Sequence, residues 1–177
     1  MTTSPAKAVA GKHDTNDHLP IRDRIVGAWQ LLEYSLTSDE GDVHYPLGPN
    51  AQGLIIYTLD GFMSAQLMQP DRPRYQSDFV HAGRATEFGA AAAGYLAYSG
   101  WYRVDEEHSI VYHSASLSLY PNWIGRDLTR PVRFDDDLMT LSTKPIALDN
   151  VVRRPAIIWR RLVPLVAPAH FRGAFTN

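Results

Sequence analysis

Cysteine is absent from the 177 residues, so the chain has no disulfide framework, no thiolate nucleophile and no cysteine-ligated zinc. Charge is nearly balanced, with 17 Lys and Arg against 19 Asp and Glu and a formal net charge of -2. That gives neither nucleic acid nor an anionic membrane an electrostatic footprint. No apolar run reaches the roughly 18 residues that a membrane helix needs. The first residues, MTTSPAKAVAGKHDTNDH, lack the continuous apolar core of a secretory signal. The expectation is a cytoplasmic protein with no nucleic-acid or membrane partner. Catalytic signatures are missing as well: G-x-S-x-G, H-E-x-x-H, G-x-x-x-x-G-K-[ST] and G-x-G-x-x-G do not occur, so serine hydrolase, zincin, P-loop and dinucleotide readings have no support. No cofactor and no metal is expected. His13, Asp14, Asp17 and His18 fall in a polar segment expected to form a flexible tail, where solvation is favoured over the fixed geometry a metal requires. Asp135-Asp136-Asp137 reads as a solvated turn, because consecutive carboxylates in a strand do not converge on one point.

What the chain does have is aromatic and β-branched sequence in short runs. Its 45% hydrophobic and 11% aromatic content suffices for one sizeable core and makes a second full domain unnecessary. The central stretch, residues 98–125, YSGWYRVDEEHSIVYHSASLSLYPNWIG, places two strand-like runs on either side of a polar turn, then closes on Pro121, Trp123 and Gly125. Before it, Asp60-Gly61 joins GLIIYTL to FMSAQLM, a strong hairpin signal. Further strands are expected at residues 27–37, 127–134, 138–143 and 154–163, with an extended, proline-bounded edge near Val43 and one or two helical turns at residues 19–26. The connection from Gln69 to Gly94 is long for a compact β-domain; its alanine-rich second half reads as a helix that acts as a lid or simply closes the rim. Eight or nine strands with hairpin-length turns and two short helices predict an all-β, antiparallel up-and-down barrel. The expected layout is a disordered tail over 1–18, the barrel over 19–163 and a second tail over 164–177. Phe171 and Phe175 in that last tail could fold back on the body or on a neighbouring subunit, and the sequence does not decide between them, which leaves a homodimer open.

The linked elements YPLG, YT-x-DG-x-MSAQ, Y-x-G-x-Y and PNW-x-G, together with GAWQLLEY, LMTLST and IIWRRL, resemble the bacterial and fungal lipocalin-like domain family over roughly residues 25–162. The resemblance implies a calycin-type barrel with an internal pocket. It says less about chemistry, since such barrels include carriers as well as cyclases of secondary metabolism.

Residues that could serve such a pocket are few. His113, in mid-strand, is the first choice for proton transfer, or else a satisfied wall histidine. Tyr102 and Tyr98 share a face with Gly100 between them and would polarise a ligand oxygen. Arg130, inside DLTRPVRF, would meet an anionic or carbonyl group, or be paired or exposed. His113, Tyr102 and Arg130 are thus the catalytic candidates. The substrate-binding candidates are Tyr57, Ser64, Gln66, Met68, Tyr98, Ser116 and Trp123. Strand parity puts Ser64, Gln66 and Met68 on one face and Met63, Ala65 and Leu67 on the other, without saying which faces inward. Ser116 has the opposite parity from His113 unless a bulge intervenes. The expected function is a cofactor-independent cyclase or isomerase, cycloaddition included, acting on an apolar polyketide- or terpenoid-like molecule. The alternative is a non-catalytic carrier of such a compound.

Overall fold

A computed structural model describes residues 19–162. The expectations for the two tails, and for a subunit contact through Phe171 and Phe175, lie outside the described residues. The chain runs as α1 (Ile21–Ile25), β1 (Gly27–Ser38), β2 (Val43–His44), β3 (Gln52–Tyr57), β4 (Phe62–Met68), α2 (Ala85–Ala93), β5 (Tyr95–Asp105), β6 (Ile110–Ser118), a 3-10 turn at Pro121–Trp123, β7 (Asp127–Asp135), β8 (Leu138–Ser142), β9 (Ile146–Leu148) and β10 (Val151–Arg161). Eight strands follow one another around an antiparallel barrel in the order β1, β3, β4, β5, β6, β7, β8, β10, and β10 pairs back onto β1. Closure removes the exposed edges that an open sheet would present. The short β2 and β9 extend β1 and β10 outside this ring.

Turn chemistry accounts for most of the hairpins. Gly61 takes φ 93° in the Asp60-Gly61 turn, and Asp136 and Ser109 take φ 52° and 53° at the ends of their hairpins. The β9–β10 hairpin was not anticipated. Its two-residue turn is Asp149-Asn150, with φ 53° and 61°, the pair of left-handed conformations that Asp and Asn tolerate best among residues with a side chain. It starts β10 at Val151 rather than Arg154.

One end of the barrel is plugged. Trp29 at the start of β1 is fully buried, and its indole N–H donates to the Ile25 carbonyl at 2.8 Å. The α1 backbone N–H groups of Ile21 and Arg22 donate to the Glu106 carboxylate at 2.8 and 2.9 Å. A helix of one turn is thereby tied at its N-terminus to the β5–β6 turn, where its unpaired N–H groups need acceptors. Arg161 covers Trp29 and Arg24 covers Phe134, with guanidinium-to-ring distances of 4.1 and 4.5 Å.

Two bulges set which side chains face inward. In β1 the register against β10 shifts between Leu31 and Glu33, so Trp29 and Leu31 point in before the bulge and Tyr34 and Leu36 after it. Between β5 and β6, Ser99 pairs with Leu117 but Gly100 pairs with Ala115, which leaves Ser116 without a partner. Gly100 is required there, because a Cβ would lie 2.0 Å from the Ser114 carbonyl oxygen. Helix α2 buries none of its residues and packs on β5. With alanines and Gly89 along its length it has no large apolar face to turn inward, and it sits beside the wall rather than across the cavity described next.

Candidate functional site

Beyond the plug the barrel holds a cavity of about 250 Å³. Its floor includes Ile55 and Trp159, which pair with Trp29 and Leu31 of β1. Thr143 and Ile146 line the other end, and Ile146 is 42% exposed, so the cavity reaches the surface there. Ala65, Leu67, Leu128, Leu141 and Ile157 form an apolar wall. Four aromatic rings, Tyr34, Tyr98, Trp123 and Trp159, complete it, with Arg130 as its charged side chain. Trp123 is fixed by edge-on contacts with Tyr98 at 5.2 Å and Tyr120 at 5.7 Å, and the Arg130 guanidinium lies 5.9 Å from its ring centre.

His113 stands behind this surface. It is fully buried, with Nε2 2.8 Å from the Tyr57 hydroxyl and Nδ1 2.9 Å from the Tyr98 hydroxyl. Burial, reinforced by the Arg130 charge, lowers its pKa from 6.5 to about 3. The imidazole is therefore neutral at physiological pH, with one nitrogen donating and the other accepting. Burial also raises the pKa of Tyr57, Tyr98 and Tyr34, so all three are protonated phenols; the Arg130 guanidinium offsets part of the rise in each.

Which way the protons run follows from burial. Tyr57 is 1% exposed, and its hydroxyl has His113 Nε2 as its partner. A buried hydroxyl proton without an acceptor costs about 1–3 kcal/mol, so Tyr57 donates to Nε2. The ring proton then sits on Nδ1 and is donated to the Tyr98 oxygen. This leaves the Tyr98 hydroxyl proton with no protein acceptor among the described residues, on a side chain that lines the cavity. Two further donors are in the same condition: Arg130 Nε and Trp159 Nε1 are buried and have no hydrogen-bond partner. The Arg130 Nη1 group donates to the Thr129 carbonyl at 3.2 Å.

Of the residues singled out from sequence, Arg130, Tyr98 and Trp123 line the cavity. Tyr57 and His113 lie one layer behind it. Tyr102 belongs to the plugged end, where its hydroxyl donates to the Thr58 carbonyl at 2.9 Å and its ring meets Tyr57 edge-on at 5.0 Å. The placement departs from expectation for Ser64, Gln66, Met68 and Ser116. On β4 it is Met63, Ala65 and Leu67 that face inward. Ser64 bonds Ser99 at 2.8 Å, Gln66 accepts from Tyr95 at 2.6 Å and Met68 receives Arg72, all on the outer face. Ser116 is the bulged residue and is exposed. The sequence reading passed over Tyr34, Trp159 and the apolar wall; for Trp159 the alternation of Ile157 and Trp159 with charged Arg160 was an available signal. Among the described residues no cluster of His, Asp and Glu is arranged to hold a metal ion, and no helix is long and apolar enough to cross a membrane.

A closed eight-stranded barrel with one plugged end and an internal cavity is the architecture of the calycin type. The chain belongs to the lipocalin-like domain family, whose match spans residues 26–162. A relative from Aspergillus oryzae (strain ATCC 42149 / RIB 40), the 4'-hydroxy-3'-methoxypropiophenone carrier protein ppsC, is 36% identical over 107 residues, covering 56% of this chain and 96% of the relative. The crystal structure of lipoprotein YedD from Klebsiella pneumoniae subsp. pneumoniae MGH 78578 superposes with a TM-score of 0.37 at 12% identity, over 86% of this chain and 84% of that one. So slight a likeness carries no argument about this chain.

Proposed function

We propose that this protein binds a small aromatic ketone inside its barrel and carries it without converting it. The observation that carries this reading is the polar character of the cavity: the Tyr98 hydroxyl, Arg130 Nε and Trp159 Nε1 are hydrogen-bond donors without a protein acceptor among the described residues, while most of the remaining wall is apolar. Such a site favours an apolar body with an oxygen acceptor at one point. The cavity volume, below the range usual for drug-sized ligands, suits a compound built on a single ring. The name of the Aspergillus relative supports the same class, since a propiophenone is an aryl ketone.

The enzyme expected from sequence had His113, Tyr102 and Arg130 as its catalytic candidates, with His113 the first choice for proton transfer. With both ring nitrogens hydrogen-bonded to tyrosines and a pKa of about 3, that side chain stays uncharged near neutral pH and is a weak base toward a ligand. Trp123 and Trp159 line the cavity, so indole emission provides the test. Titration with 4'-hydroxy-3'-methoxypropiophenone is expected to quench emission saturably at one ligand per chain, with the compound recovered unchanged after prolonged incubation. Absence of saturable binding would remove the carrier reading. Conversion of the compound at a rate above the protein-free control would restore the enzyme.

A further inference from the structure

We infer that the cavity takes its ligand as an oxyanion, a phenolate or a carboxylate at one end of an aromatic body, rather than as a neutral molecule. This rests on the carrier reading and specifies the charge state of what is carried. Arg130 is only 7% exposed, yet among the described residues it forms no ion pair with a carboxylate. Its nearest recorded partners are a backbone carbonyl, the Trp123 ring and the hydroxyl of Tyr98. A buried cation without a counterion is costly, and a wall residue that served only packing would not carry one.

The other polar groups point the same way. The Tyr98 oxygen is engaged by the His113 N–H and so offers its own proton outward. The Nε of Arg130 and the indole N–H of Trp159 have no acceptor. Donors without acceptors favour the charged form of an oxygen over its protonated form, which would itself need an acceptor. The titratable groups facing the Arg130 guanidinium are Tyr34 from β1, Tyr57 from β3, Tyr98 from β5 and His113 from β6. All are neutral at physiological pH for the reasons given above. The stretches of β4, β8 and β10 that line the cavity contribute Ala65, Leu67, Leu141, Pro155, Ile157 and Trp159, none of them titratable. Among the described residues the only charged side chain lining the cavity is therefore positive.

The test uses the intact protein with two probes, 4'-hydroxypropiophenone and its methyl ether, 4'-methoxypropiophenone. A phenol para to a carbonyl ionises more readily than a simple phenol, and its anion absorbs at longer wavelength, so the bound charge state is read directly. In the wild type, the bound phenol is expected to show a pKa lowered by about one unit or more, and the ether to bind at least about tenfold more weakly at pH 8. Arg130→Met is expected to abolish both differences. It is also expected to raise the melting temperature of the ligand-free protein, because a buried uncompensated charge is replaced by an apolar side chain of similar length. Equal binding of phenol and ether, with the bound phenol absorbing as the neutral acid, would overturn the inference and leave the carrier reading standing. A lower melting temperature for Arg130→Met would also count against it, by showing that the contacts of the guanidinium with Thr129, Trp123 and Tyr98 outweigh the cost of burying its charge. If neither probe binds at any pH, the carrier reading falls and this inference with it.

Discussion

The two halves of this barrel bury the same kinds of side chain to opposite effect. In the half closed by α1, each aromatic polar group meets a protein partner: Trp29 bonds the Ile25 carbonyl, Tyr102 the Thr58 carbonyl, and Tyr57 the His113 ring. In the hollow half, Trp159 and Arg130 keep buried donors unmet, and the apolar residues around them leave a void. A tryptophan is thus a plug at position 29 and a cavity wall at position 159, although the two belong to neighbouring strands. The difference lies in whether the fold supplies an acceptor. His113 marks the boundary, satisfied on both sides by one tyrosine from each half.

The sharpest way to break the paired half is acid. His113 has a folded pKa of about 3 against 6.5 when unfolded, so between those values the unfolded chain binds more protons and stability falls as pH falls. Above about pH 6.5 the penalty is absent. Below it the loss approaches about 1.4 kcal/mol per pH unit, or roughly 5 kcal/mol in all by pH 3. Urea unfolding of the wild type and His113→Gln at pH 7, 5 and 4 measures this, with the variant expected to lack most of the slope across that range. Trp29→Ala attacks the same half by volume, and a loss of about 3–5 kcal/mol is expected in denaturant unfolding.

Paired removal of the two phenol hydroxyls sharpens the contrast. Tyr57→Phe takes the donor from His113 Nε2 one layer behind the cavity, and is expected to cost about 1–3 kcal/mol of stability. Tyr98→Phe is expected to cost less stability but to weaken ligand binding by about tenfold, roughly the worth of one hydrogen bond. Calorimetric binding and thermal melts on both variants separate the two effects. Smallest of all, Gln66→Ala and Ser116→Ala on the outer surface should change stability by no more than about 0.5 kcal/mol and leave ligand affinity unaltered in the same assays.

The barrel was legible in the sequence because its signals are local. Asp60-Gly61 and the polar turn after Asp105 define hairpins without reference to the rest of the fold, and the family resemblance joined them into a ring. The cavity was legible only in part, because inward facing is a property of register. Along β1 a simple alternation from Trp29 leads to Glu33 and misses Tyr34; the bulge that corrects it depends on pairing with β10, more than a hundred residues away. On β4 either face was consistent with the sequence, and polar Ser64 and Gln66 were assigned to a ligand when the barrel wall needed Met63, Ala65 and Leu67. Ser116 was lost to a bulge enforced by Gly100. Arg130, Tyr98 and Trp123, which line the cavity, stand out in the sequence because a charge and a phenol inside strands and an indole at a turn attract notice by chemistry alone. The hairpin turned by Asp149-Asn150 was missed although both residues favour the conformation they adopt.

The most direct test of a hollow barrel that accepts a guest is a crystal structure of the protein grown with 4'-hydroxy-3'-methoxypropiophenone. The account predicts the ring between Trp123 and the Ile55–Trp159 floor, with a ligand oxygen within hydrogen-bonding distance of Arg130 and Tyr98. An interior filled by repacked side chains, or the compound held only on the outer face near Gln66 and Met68, would contradict it.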